Sequence, residues 1–378
     1  MNQQHLDRRF LLGGMAGVAG VSALAAMARG GPLAPPAGAV SPTGKTLTSV
    51  EPRTEINTTN TPGLAGSVFT ISQPGSYYLS GDINVPAGMT AIGVYGAGVT
   101  IDLNGFAIRN VTGQGIVYNG GVKGVTVCNG FFVNCSANLI NGFIAPNTVL
   151  RDIQAVDCTG LTYLGDRALV ERCILTGAVN EGLVTGAGSI VRDCVVTGSA
   201  TGYPGISVGA GGFSVSVGPG GLVERCVVSG FGRGVQIGSG SVRGCTLLSN
   251  TIGIQCTGAT VVEGNLCDGN GTGILVDAST GRCRVADNHV SRSTGTAATT
   301  GGIVINQSGC VVEANSMTGN YTNLRVTSAF GLIVRNRMSF PGAGGNSVIA
   351  ANNSVGTMVN AASGGSPVTT DANANVIF

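Results

Sequence analysis

Two pairs of arginines near the C-terminal end carry the spacing most suggestive of chemistry, Arg282 with Arg284 and Arg335 with Arg337. In a strand, a spacing of two puts both members of a pair on one face. A guanidinium fork matches a carboxylate or sulfate through paired hydrogen bonds. These four residues are therefore the candidate binding residues for an anionic ligand. Arg325 lies between the pairs, and Asp277, Asp287 and Glu313 are near enough in sequence to neutralise part of the charge. Other constellations are thin. His5 falls in the N-terminal leader and His289 stands alone, so there is no Ser-His-Asp triad and no multi-histidine metal site. Hydrolysis of a glycosidic bond needs two convergent carboxylates. The chain contains neither an Asp-Asp pair nor a column of adjacent acids.

What could position the arginines is a repeat. Ser189-Ile190-Val191-Arg192-Asp193-Cys194-Val195-Val196 returns as Leu169-Val170-Glu171-Arg172-Cys173-Ile174-Leu175 and as Leu222-Val223-Glu224-Arg225-Cys226-Val227-Val228. Taking the Cys/Asn position as a marker places it at Asn104, Asn129, Ile153, Cys173, Cys194, Cys226, Cys245, Asn265, Asn288, Asn315 and Asn336. The steps run from 19 residues (Cys226 to Cys245) to 32 (Cys194 to Cys226), the period of a solenoid. Three residues before each marker stands an aliphatic residue, with Thr126 the one polar exception. Two residues after it stands an apolar one, Phe106 and Phe131 in the first two coils. A spacing of two is the strand period, whereas a spacing of three requires a corner. A second strand follows, marked by Gly234-Val235-Gln236-Ile237 and Gly273-Ile274-Leu275-Val276. The pattern predicts an all-β, single-stranded parallel β-helix of about eleven coils.

The corner residues carry alternating charge. The first position reads Arg151, Glu171, Arg192, Glu224, Arg243, Glu263, and the second reads Asp152, Arg172, Asp193, Arg225. In register, each charge lies between two opposite ones, an ion ladder that fixes the stacking of coils. It also removes most mid-chain carboxylates from contention as catalytic acids. Eleven cysteines first suggest a disulfide scaffold, but there is no CxxC pair and the count is odd. Four of them share the marker column with Asn, so free, buried thiols are expected, with one disulfide at most at an end. Asn in that column is expected to form an interior ladder.

A net charge of +2 gives no broad basic surface, which argues against nucleic acid. Tryptophan is absent, and Tyr77, Tyr78, Tyr95, Tyr118, Tyr163, Tyr203 and Tyr321 are scattered along the chain, which weakens a neutral-glycan lectin.

Residues 1–28 read as an export signal, with Arg8-Arg9 before an uncharged stretch and Ala26-Met27-Ala28 as a cleavage site. The arginine pair resembles the twin-arginine signal. No transmembrane span is expected in the mature chain, the alternative being that the uncharged stretch is kept as a membrane anchor, and the protein is expected in the periplasm, at the cell surface or outside the cell. Residues 29–67 form a Pro/Gly linker and an N-terminal wrap, 68–340 the β-helix, and 341–378 a cap and tail. Insertions are expected at Gly209 to Gly220 and at Ser293 to Thr300.

The twin-arginine start, Pro74-Gly75-Ser76-Tyr77-Tyr78-Leu79 with Gly81-Asp82-Ile83, and Val99-Thr100-Ile101-Asp102-Leu103-Asn104-Gly105-Phe106 together resemble a family of exported bacterial right-handed parallel β-helix proteins. These share the pectate-lyase-like fold. The resemblance covers nearly the whole chain and implies that fold, but no established activity. The paired Asp and Gly-His-Gly of β-helix polygalacturonases are absent. Polysaccharide lyases of the fold use an Arg or Lys base, often with calcium. The sequence therefore points first to a non-catalytic structural or surface-interaction protein of the cell envelope, binding an acidic polysaccharide and needing no cofactor. The alternative is a lyase acting by β-elimination with an arginine base. Ca2+ enters only under that alternative.

Overall fold

The computed structural model describes residues 52–64, 66–209, 220–277, 281–297, 299–361 and 369–378. The export signal, the linker as far as residue 51 and the body of the Gly209–Gly220 insertion lie outside the described residues. The chain is an all-β, right-handed parallel β-helix. Its strands fall into a 13-stranded sheet, one strand per coil, and a 26-stranded sheet that contributes two strands per coil on either side of a corner. Thirteen exceeds the eleven markers because strands Ser67–Ile71 and Gly345–Ile349 add a rung at each end. Parallel pairing begins at Thr54–Glu55, opposite Tyr77 and Tyr78. It continues to Asn375–Ile377, which pairs with Arg337 and Met338.

The spacing of three resolves into a left-handed corner. The second corner residue has positive φ in coil after coil: Asp152 (56°), Arg172 (53°), Asp193 (55°), Arg225 (50°), Asp287 (57°), Ala314 (54°) and Arg335 (58°). One left-handed residue turns the strand, so the aliphatic residue before it and the marker after it both face inward. Val191, Cys194 and Val196 are accordingly buried, as are Val262, Asn265 and Cys267. The first two markers need correction. Ile153 stands opposite Gly130, not Asn129, and the inward flanks are Val127 and Phe132, paired with Leu150 and Ala155. Asn129 is itself the left-handed corner residue (φ 61°). A slip of one residue exchanges the two faces of a strand, and the polar Thr126 was its signature. In the preceding coil Ile101 and Ile108 face inward. Two extra residues lengthen that corner, so Phe106 is only half-buried and Asn104 is exposed.

The ion ladder forms in the expected register, with Glu171 opposite Arg192, Arg192 opposite Glu224, Glu224 opposite Arg243, and Arg243 opposite Glu263. Arg192 reaches Glu171 at 2.7 Å, and Arg172 and Arg225 each fork onto Asp152 and Asp193. These guanidiniums hold the Asp152, Glu171 and Asp193 carboxyls below the usual carboxylate range.

Inside, the marker column is a continuous polar spine. Asn265 donates through Nδ2 to Asn288 Oδ1 (2.9 Å), Asn288 to Asn315 (2.9 Å), Asn315 to Asn336 (3.0 Å) and Asn336 to Asn375 (3.0 Å). Each amide also donates to a carbonyl of the coil before, as Asn265 does to Val242 (3.0 Å). Above it the thiols make the weaker equivalent bond, as Cys245 Sγ does to the Val223 carbonyl (3.7 Å). All eleven cysteines are free and buried. Burial pushes the Cys256 thiol up to about 12, so its own reactive thiolate is scarce at neutral pH, and burial keeps reagent from the rest. In the native protein the thiols should resist a disulfide-exchange reagent until denaturant is added, with Cys128, the most accessible at 8 % exposure, reacting first. Rapid native labelling of the Cys173–Cys245 column would contradict this packing.

Candidate functional site

The four arginines fall into three settings. Arg282 and Arg284 flank the buried Cys283 at the entry to strand Arg284–Ala286. Together with Gly240, Ala259, Thr260 and Gly309 they line a groove of about 330 Å³. Small residues on the neighbouring coils leave this space open. Arg284 is tethered, with Nε donating to Glu313 (2.7 Å) and Nη1 to Glu263 (3.2 Å). Arg282 is exposed, and among the described residues no hydrogen-bond or ion-pair partner takes its guanidinium. Its side chain lies over Gly309, where a Cβ would sit 3.3 Å from Nε.

Arg335 is the left-handed corner residue of a later coil, and its guanidinium joins Arg284 on Glu313. Arg337 stands on strand Arg337–Ser339, past that corner, with its guanidinium 5.6 Å from the Phe378 ring centroid. The corner thus places Arg335 and Arg337 in different surroundings, despite their spacing. Arg325 belongs to the 13-stranded sheet, on strand Thr322–Val326, away from the groove. His289 is exposed, in register with Leu266 and Ser316.

Electrostatically the centre of the cluster is Glu313. Burial works against its ionisation, but the guanidiniums of Arg284 and Arg335 outweigh that and hold its carboxyl below the usual range. Calcium takes six to eight oxygen ligands. The two acids nearest the arginines, Glu263 and Glu313, are already engaged by guanidiniums. Among the described residues no group of three or more His, Cys, Asp or Glu side chains converges on a point. The residues present therefore do not fit a calcium cage. What the groove can do is receive an anionic group at Arg282, with Arg284 held rigidly beside it.

Sequence spacing alone did not reveal the groove's small residues, because Gly240, Ala259 and Gly309 come from three coils. A second asparagine ladder was also missed. Asn250 donates to Asn270 (3.1 Å), and farther along Asn320 to Asn323 and Asn323 to Asn346 (both 2.8 Å). Its signal was an Asn three residues before the Gly or Asn that is the second residue of the next strand, at Asn250, Asn270 and Asn320.

No protein-family model and no curated protein sequence matches the chain. Several solved structures resemble it. The A-module of the mannuronan C-5 epimerase AlgE4 of Azotobacter vinelandii superposes with a TM-score of 0.49 at 11 % identity, over 75 % of this chain and 91 % of that one. A mutant tailspike protein of E. coli bacteriophage HK620, in complex with a pentasaccharide, gives 0.43 at 13 % identity, over 83 % and 72 %. The catalytic domain of a GH87 alpha-1,3-glucanase, in complex with tetrasaccharides, gives 0.35 at 12 % identity, over 83 % and 64 %. Likenesses at this level concern the solenoid shape alone.

Proposed function

We propose that the protein is an exported, non-catalytic surface-interaction protein of the cell envelope that binds an acidic polysaccharide in the groove beside Arg282. The observation that carries this reading is the Arg282 guanidinium, without a partner among the described residues, at the rim of an open groove, next to an Arg284 fixed by Glu263 and Glu313. A free, exposed arginine offers its fork to a sugar carboxylate or sulfate at little desolvation cost. Arg335 and Arg337 contribute less, because one is spent on Glu313 and the other stacks on Phe378. Binding rather than β-elimination is favoured because Arg284 and Arg335 are ion-paired, which makes either a poor base. No cofactor is required, and the binding should survive a chelator.

Titration of the protein with oligogalacturonate tests the reading. A charged hydrogen bond is worth about 1.5–3 kcal/mol, so Arg282→Ala should weaken binding by roughly 10- to 100-fold. Added salt should weaken it further. Equal affinity in the variant would remove the groove from the interaction.

A further inference from the structure

The strand that enters the ion-ladder corner shows two columns on its outward face. Val149, Leu169, Ile190 and Leu222 stand opposite one another in four successive coils, and Ser241 and Val261 continue the column. Two residues on, and therefore on the same face, runs the first row of the ion ladder: Arg151, Glu171, Arg192, Glu224, Arg243 and Glu263. The residue between the two columns points inward in every coil, as Val170, Val191 and Val223 do.

The aliphatic column is not core. Ile190 is 36 % exposed, and Val149, Leu169, Leu222 and Val261 are half-buried. A solvated sheet face normally carries polar residues at such positions, and a contiguous apolar patch with a polar border marks an interaction site. The charges beside it stay open on their outer side. Arg192 and Glu224 keep 41 % and 30 % of their side-chain surface exposed although each already has an ion-pair partner within the chain. Glu171 is recessed beneath Arg172 and Arg192 and offers least.

The order of signs selects what fits this face. The row reads plus, minus, plus, minus, plus, minus over six coils, an even number. Reversed, it is its own complement. We infer that this face pairs with the same face of a second copy of the chain, the two rods running antiparallel about a two-fold axis between the coils of Arg192 and Glu224. That axis sets Arg192 against Glu224 of the partner subunit, Arg243 against Glu171 of the partner subunit and Arg151 against Glu263 of the partner subunit. The aliphatic columns then meet each other, Ile190 against Leu222 of the partner subunit and Val149 against Val261 of the partner subunit. The second corner row agrees, because Asp193 faces Arg225 of the partner subunit. A parallel two-fold dimer is excluded by the same signs, since it superposes each charge on its own copy. A face of two columns and six coils lies at the small end of specific interfaces, so the dimer is a reversible one. Arg282 and Arg284 belong to the next coil, which leaves the Arg282 guanidinium outside the paired coils, so association and anion binding are measured separately.

Sedimentation equilibrium of the full chain between about 1 and 500 μM tests this. The expected result is a monomer–dimer equilibrium. Ile190→Lys, in the centre of the face, should weaken it by tenfold or more, with a melting curve to check its folding. Leu332→Lys, at an exposed position of the same column beyond the six coils, should leave it unchanged. Orientation is read independently by cross-linking Val149→Cys and Val261→Cys proteins with a bis-maleimide that spans about 10 Å, the separation of packed sheets. Mixed, the two variants should cross-link to each other. Alone, neither should cross-link to itself, because five coil steps, about 24 Å, separate the two positions along the rod. A monomer at every concentration would overturn the inference. So would a dimer indifferent to Ile190→Lys, or Val149→Cys protein that cross-links to itself.

Discussion

Asn315→Ala should cost the protein about 3–5 kcal/mol of stability. The side chain accepts from the Asn288 backbone N–H (3.0 Å) and from Asn288 Nδ2 (2.9 Å). It donates to the Val285 carbonyl (2.9 Å) and to Asn336 Oδ1 (3.0 Å). Alanine would orphan the Asn288 amide N–H and one of the Asn288 side-chain hydrogens, both buried, and would take one donor from the Val285 carbonyl, which stays in the strand ladder. Each such group carries a penalty of about 1–3 kcal/mol. Because coils contact only their neighbours, the loss should be felt first on either side, with faster hydrogen exchange in strands His289–Ser291 and Ser316–Thr318. Cys245→Asn should behave oppositely. Asn265 Oδ1 already accepts from the Cys245 backbone N–H (2.9 Å). An added amide there would extend the spine by one rung, and stability should hold or rise. Urea unfolding of both variants checks the pair; an unchanged midpoint for Asn315→Ala would mean the spine is not a source of stability.

Gly240→Ala is expected to do at least as much damage, above about 4 kcal/mol, and to yield little soluble protein. Gly240 has φ 129°, a conformation closed to L side chains, and a Cβ there would lie 1.9 Å from the Gly221 carbonyl oxygen. That oxygen is backbone in a paired strand and cannot swing aside. Gly264 makes the informative contrast. It also has positive φ (64°), but it sits in the left-handed corner column, and nothing lies within 4 Å of a Cβ built there. Asp, Arg and Ala occupy the same corner in other coils. Gly264→Asn should therefore be close to neutral. Thermal melts distinguish the two positions, and a Gly240→Ala protein that melted like the parent would refute the close packing of strands Gly221–Glu224 and Gly240–Arg243.

The fold was legible because its determinants are local and repeated. A buried Val, two charged corner residues and a small buried polar residue recur within six positions, and the alternating signs of the corner pairs fix the stacking. Legibility failed where one coil departs from its neighbours. Leu103-Asn104-Gly105-Phe106 imitates the marker pattern, but two extra residues carry the chain past it. The next coil reuses Asn at the corner instead of inside. No local rule distinguishes an inward Asn from a left-handed corner Asn, since the residue suits both.

The site was less legible for a related reason. Sequence spacing placed Arg335 and Arg337 on one face, but a corner lies between Arg335 and the strand that carries Arg337. Only the stacking of coils reveals that Glu313 is shared by Arg284 and Arg335 while no partner among the described residues takes Arg282.

The most direct measurement of the central claim, binding in the Arg282 groove without cleavage, is a single incubation with polygalacturonate, with and without calcium. Bound polymer and the ultraviolet absorbance of unsaturated sugar ends would be followed together. The expected result is saturable binding that Arg282→Ala weakens, with no rise in absorbance under either condition. A calcium-dependent rise that disappears in Arg284→Ala or Arg335→Ala would contradict the claim and make the protein a lyase.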